Sequence, residues 1–186
     1  ECPWPRRRNL PTRLPNHLTQ MLLRASNGVG YTNLPDNVVR MFTLQAAQTG
    51  VDVFLVFDSL NWVENMRVAM DAVIEADKIC EAAICYTGDI LNPDRATYAL
   101  DYYVKMAREL RDAGAHVLGP KDMAPLLTPS PAFALVNALK QETGLPTHLP
   151  PHHTSRSAAP TPPAHRAALP APPGAAPAPP APPPTP

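Results

Sequence analysis

Short apolar blocks recur along this chain at intervals of about 30 residues, the length of one strand–helix–strand unit. They fall near 18–23, 51–57, 79–85, 115–120 and 146–149. Each of the first four is followed by a stretch whose apolar positions return every three or four residues, near 36–49, 62–77, 97–113 and 130–142. The first pattern predicts strands and the second amphipathic helices. Residues 51–57 are almost continuously apolar, as a strand buried on both faces requires. Asp36 and Asn61 stand where helix N-caps belong, and Gly50, Gly114 and Gly144 stand where helices should stop. The alternation predicts a parallel α/β fold.

The polar residues are placed with equal regularity. Arg24, Asp58, Tyr86 with Thr87 and Asp89, and then Lys121 all fall at or just past the C-terminal end of a predicted strand. In a (β/α)₈ barrel that rim carries the active site. An open doubly wound sheet gathers its ligands on the same edge. The pattern therefore predicts where the chemistry lies and leaves both architectures open.

Composition narrows the classes of partner. Sixteen basic residues balance sixteen acidic ones, so no field for nucleic acid or for an anionic membrane is implied. No apolar run reaches the roughly 18 residues of a membrane span, and Glu1-Cys2-Pro3-Trp4 does not read as a signal peptide. Cys2, Cys80 and Cys85 make no CxxC pair, and an interval of five sends Cys80 and Cys85 to opposite faces of a strand. A reduced, intracellular protein follows. Residues 150–186 hold fifteen of the 26 prolines and no acidic residue, with Leu169 as their one large aliphatic side chain. Such a segment buries too little apolar surface to offset its ordering entropy and is expected to be disordered, with polyproline II character. The expected organisation is a folded part over 1–149 and a Pro/Ala-rich tail over 150–186.

Four segments resemble one family. Residues 21–39 read M-L-L-R-A-S-N-G-V-G-Y-T-N-L-P-D-N-V-V. They are similar to M-L-L-R-G-A-N-G-V-G-Y-T-N-Y-P-D-N-V-V in the carboxyltransferase domain of the biotin-dependent pyruvate carboxylases. Residues 53–61, 81–89 and 121–124 resemble that family's V-F-R-V-F-D-S-L-N, its E-A-A-I-C-Y-T-G-D (cysteine or serine fifth) and the start of its K-D-M-A-G-L-L-K-P. The motifs keep the family's order and gaps and cover residues 1–149. Related biotin-dependent decarboxylases and transcarboxylases usually carry G-Y-R-H-Y-A-D-D-V where this chain has Gly30-Tyr31-Thr32-Asn33-Leu34-Pro35-Asp36-Asn37-Val38.

The resemblance implies a partial (β/α)₈ TIM barrel of about four and a half βα units. The first strand, with its D-x-x-x-Q-S motif, and everything after the fifth are missing, so the chain reads as a fragment whose activity alone is not expected. By resemblance, the intact domain transfers a carboxyl group from carboxybiotin to pyruvate, giving oxaloacetate for anaplerosis and gluconeogenesis. Its biotin rides on a carrier domain, a biotin carboxylase domain charges it, and a divalent metal (zinc or manganese) assists. Family members form homo-oligomers, in the bacterial cytoplasm or in mitochondria. Two other readings remain: an oxaloacetate decarboxylase or transcarboxylase subunit, and a non-catalytic chain with a proline-rich interaction tail.

Residue by residue, the resemblance makes Arg24 the arginine that contacts pyruvate. A guanidinium presents a planar fork that matches a carboxylate. Tyr31 would assist the same pocket or simply pack. Gly28 and Gly30 lack the third glycine of a dinucleotide fingerprint and are expected to supply turns with φ > 0. Lys121, read from the chain alone, is a salt-bridge partner. By resemblance it is carbamylated, and its new carboxylate binds the metal, which needs an amine held neutral by desolvation or by nearby cations. Asp58 and Asp122 then orient ligands, or cap their loops.

The family's L-P-x-H-x-H-T-H-D-T-S-G continues this site, its second and third histidines binding metal. Aligned without gaps, the second is Pro150 here, the third survives as His152, the aspartate is His153 and the glycine is Arg156. Lys121 and His152 would supply two of four ligands, too few for tight divalent binding, and the simpler reading of His148, His152 and His153 is a solvated junction. Leu55 replaces an arginine and Pro125 a glycine, and Gly119-Pro120 replace small apolar residues before Lys121. A proline inside a central strand removes a ladder hydrogen bond, so this strand is expected to be weakened. Beyond residue 149 the resemblance stops, although Thr154-Ser155 still echo it. The remainder favours residues with GC-rich codons, which suggests a reading-frame shift near codon 150. A proline-rich linker, or a docking tail for SH3- or WW-type modules, is the rival account.

Overall fold

The computed structural model describes residues 16–150 other than 93, 95 and 125. Four strands, β1 Gln20–Leu23, β2 Val53–Val56, β3 Ile79–Cys85 and β4 Val117–Lys121, alternate with four helices, α1 Asp36–Gln48, α2 Val63–Glu75, α3 Leu100–Asp112 and α4 Pro129–Thr143. The strands are parallel throughout and lie in the order β1-β2-β3-β4. Chain order equals spatial order. Among the described residues all four helices pack against one face of the sheet, while the other carries only a small apolar cluster. This is the arrangement of a stretch of barrel wall, unlike a doubly wound sheet with helices on both faces.

Strand alternation separates two faces. Phe54, Val56, Cys80, Ala82, Ile84 and Leu118 join the main core. The helices bring their own stripes to it, most regularly Tyr103, Met106, Ala107 and Leu110 from α3 and Ala132, Leu135 and Leu139 from α4. On the other face Leu55, Phe57, Ala83 and Cys85 form a small separate cluster. This second face is the inner side of the barrel wall, where Cys85 sits apart from Cys80, and both thiols are free.

The predicted elements all occur within a few residues, except the fifth strand. Residues 146–149 make a single parallel bridge, Leu118 to Thr147, rather than a strand. Gly50, Gly114 and Gly144 take positive φ at helix ends as expected. Two caps differ. Asp36 is the first residue of α1, behind Pro35, and places its charge in the first turn without capping. Asn61 is not the cap of α2, which is Trp62; it adopts φ 57° instead.

The expected weakening of β4 does not occur either. Pro120 pairs with Ile84, and the ladder to β3 runs unbroken from Val117 to Lys121. Leu118 N donates outward, to Pro146 O at 2.9 Å. Pro120, two residues on, would aim its missing N–H to that same outer side, away from β3. Among the described residues no helix is long and apolar enough to cross a membrane. Residues 151–186, with the expected disorder and the suggested frameshift, lie outside the described residues, as do Pro125 and His152.

Candidate active site at the strand ends

Arg24 leaves β1 into a tight loop. Its N–H donates to Gly28 O at 2.7 Å and its carbonyl accepts from Asn27 N at 2.8 Å. Gly28 closes the loop at φ 59°, and a Cβ there would lie 3.3 Å from Leu34 Cδ1, so a side chain would be both strained and crowded. Gly30, expected to share that conformation, does not have positive φ. The Arg24 guanidinium sits 5.3 Å from the Tyr31 ring centroid, and its Nη2 approaches Ser59 Oγ at 3.4 Å. Its Nε is buried with no hydrogen-bond partner. A cleft of about 390 Å³ opens here between Leu22, Arg24, Val29, Tyr31 and Phe57. Tyr31 is 91% exposed, so it lids the cleft and does not pack into the core.

Lys121 ends β4 opposite Cys85 and is 6% exposed. Its Nζ stands 3.9 Å from the Phe57 ring centroid. Phe57 thus lies between lysine and cleft. Burial pushes the amine below its ordinary value, the Cys85 thiolate opposing this and the Arg24 charge adding to it. Burial likewise pushes the Cys85 thiol up. Among the described residues no salt bridge reaches Lys121, contrary to the reading of its chain position alone.

Both neighbouring carboxylates are fully engaged. Asp58 accepts from Leu60 N at 2.8 Å, Trp62 N at 3.1 Å and Asn65 Nδ2 at 2.9 Å. Asp122 accepts from Leu126 N at 3.0 Å and Leu127 N at 2.8 Å. Each braces the loop after its strand. Asn61 is a bracket that the chain alone did not reveal. Its amide donates to Cys85 O at 2.8 Å and accepts from Cys85 N at 2.7 Å, which ties the β2–α2 loop to the end of β3. Phe57 and Cys85 were legible as inner-face residues from strand alternation with Leu55; Asn61 offers no such signal, since its partner is a backbone unit 24 residues away.

His148, read as part of a solvated junction, keeps a side chain 38% exposed but is also paired. Its Nδ1 lies 2.7 Å from Glu81 Oε1, and the Glu81 side chain is 4% exposed. Among the described residues no cluster of three His, Cys, Asp or Glu side chains could hold a metal ion.

No family model matches the chain. Pyruvate carboxylase of Bacillus subtilis (strain 168) is 58% identical over 155 residues, which is 83% of this chain and 14% of that protein. Mitochondrial pyruvate carboxylase of Rattus norvegicus is 49% identical over 158 residues, 84% of this chain and 13% of its own. In structure, the carboxyl transferase domain of Rhizobium etli pyruvate carboxylase, solved with pyruvate and biocytin, superposes with a TM-score of 0.87 at 58% identity. The match covers 90% of this chain and 28% of that one.

Proposed function

We propose that this chain, homologous to part of the carboxyltransferase domain of pyruvate carboxylases, supplies the pyruvate-binding wall of a barrel that moves a carboxyl group from carboxybiotin onto pyruvate. The observation that carries this reading is Arg24: a permanent cation with a buried, unpartnered Nε at the floor of a cleft, roofed by Tyr31. Such a donor matches a carboxylate of small size. The second buried cation, Lys121, raises the positive potential on the same inner face. A keto acid held by its carboxylate at Arg24 loses a methyl proton more readily there, because the enolate charge develops beside a permanent cation. In this reading the methyl proton would pass to the ureido nitrogen that carboxybiotin frees as it gives up carbon dioxide, and the enolate carbon would bond that carbon dioxide to give oxaloacetate.

Family members complete the site with zinc or manganese, held by the carbamylated lysine and histidines. Here the described residues do not fit a metal: Lys121 is flanked by Phe57 and Cys85, while Asp58 and Asp122 spend both carboxylate oxygens on N–H donors. His152 would be the remaining ligand of this chain. The biotin carrier and carboxylase domains, and the partner copies of a homo-oligomer, belong to the longer protein in this reading. Its compartment is the bacterial cytoplasm or the mitochondrion, as for the relatives. In this reading the carboxyltransferase part is 1–149, and 150–186 is a separate segment.

Calorimetric titration of pyruvate into the chain tests the reading. Arg24→Gln should weaken binding about tenfold or more, the worth of a charge-assisted hydrogen bond. Methyl pyruvate, which lacks the carboxylate, should bind wild type no better than pyruvate binds Arg24→Gln. Equal affinity of wild type for the acid and its ester would sink the assignment.

A further inference from the structure

We propose that Glu81 and His148 form a protonation-dependent latch that holds segment 145–149 in the fifth-strand position against β4. Glu81 lies mid-strand on the inner face, far from the strand-end chemistry, and its residue is 3% exposed. Leu55 stands directly beside it on β2 and Val117 on β4, both apolar. Gly119 on β4 would bring a Cβ within 2.9 Å of Glu81 Oε1, so that side offers the carboxylate room and no charge. From β1, Gln20 Nε2 donates to Oε2 at 2.5 Å, again without charge. The nearby cation Lys78 is committed to Asp52 at 3.3 Å. The charge that meets Glu81 among the described residues therefore comes from His148.

His148 belongs to the segment that covers the outer edge of β4. Its N–H donates to Leu118 O at 2.8 Å, and Leu118 N donates to Pro146 O. Thr147 and Leu149 beside it are 1% and 5% exposed. When His148 is protonated, an ion pair joins this segment to the interior of the wall. When it is neutral, at most an uncharged hydrogen bond joins it to the buried carboxylate beside the amide of Gln20, a weaker hold that favours release of the segment and hydration of Glu81. The hydrogen bond to Glu81 raises the imidazole above its ordinary value, against an opposing desolvation. Because the folded state holds the proton more tightly, the latch is fully closed below about 6.5 and opens as pH rises through the folded value.

Amide hydrogen exchange on the full chain, corrected for intrinsic rates, tests this against a simultaneous NMR titration of the His148 ring. Protection at the Leu118 and His148 amides should fall at least tenfold as the ring deprotonates, while Phe57 and Tyr86, which donate to Leu23 O and Lys121 O, keep theirs. Glu81→Gln should remove the pH dependence. Leu55→Arg, which sets a permanent cation in register beside Glu81, should keep the two amides protected to high pH. Protection that does not follow the ring titration overturns the latch, as does an unchanged pH dependence in both variants, or no protection at either amide at low pH.

Discussion

Single residues at the rim divide into those that face ligand and those that hold the loops. Arg24 and Lys121 were legible in the chain because a charged residue immediately after an apolar block has only one place to go, the strand end. Their surroundings were not legible. The Phe57 ring under the Lys121 amine and the Asn61 bracket on Cys85 depend on contacts across strands, which one sequence does not display. Asp58 and Asp122 carried two readings, ligand orientation or loop cap, and every hydrogen bond they make is of the second kind. At Asp58, 7% exposed, three donors converge on one carboxylate. Asp58→Ala leaves those donors unmet and should cost about 3 kcal/mol in urea denaturation, whereas Asp58→Asn, which still accepts, should cost less. Equal losses for the two would show that charge at Asp58, rather than acceptance, holds the loop.

Among elements, β4 departs furthest from expectation. A proline before its terminal lysine argued for a weak strand, yet the missing N–H faces the outer edge and the ladder to β3 is complete. Which edge a strand residue faces is set by its pairing partners, so the chain alone warned of the proline without locating its harm. The fifth strand fails for a related reason: Pro146 and Pro150 bracket it, and only Thr147 completes a bridge. The helices and the first four strands were legible because their periodicity repeats over whole elements and tolerates local exceptions. Gly119 shows what packing adds to that pattern. A Cβ there would meet Glu81 Oε1 at 2.9 Å and Leu55 Cδ1 at 3.2 Å, contacts too close for either neighbour to keep its place. Gly119→Ala should therefore destabilise the sheet by about 1–3 kcal/mol, the range for overpacking a filled site, with chemical-shift changes centred on Glu81 and His148. A neutral effect would mean that β3 and β4 have freedom to part there.

At the scale of the whole molecule, several ionisable groups set how stability depends on pH, and the signs for Asp52, His148 and Lys121 differ. The Thr19 N–H, and after it Lys78, hold Asp52 below its ordinary 3.8 against an opposing desolvation, so its contribution is present above that value and lost as pH falls through the folded one. His148 is raised by Glu81, so its contribution is lost as pH climbs through its raised folded value. Lys121 is depressed by burial beneath its ordinary 10.5, which means that the folded state is penalised for carrying the ammonium at every pH below the folded value. That penalty lifts as pH rises toward 10.5, because the unfolded chain then binds the extra proton. The midpoint of denaturation should accordingly fall below about pH 4 and decline again above about 6.5. On the alkaline side the relief at Lys121 opposes the loss from Cys80, Cys85, Tyr86 and Tyr103, which burial raises and whose contributions fade as pH climbs through their folded values. Lys121→Met keeps the volume over Phe57 and deletes the charge, so it should raise stability at every pH below the folded value of Lys121 and leave a steeper alkaline decline. The same substitution should weaken pyruvate binding, since the inner face loses one of its two cations. A variant more stable and poorer at binding identifies Lys121 as a residue retained for chemistry at the expense of the fold. Loss of stability in Lys121→Met, or an alkaline decline no steeper than in wild type, would instead make the buried ammonium a structural member of the wall.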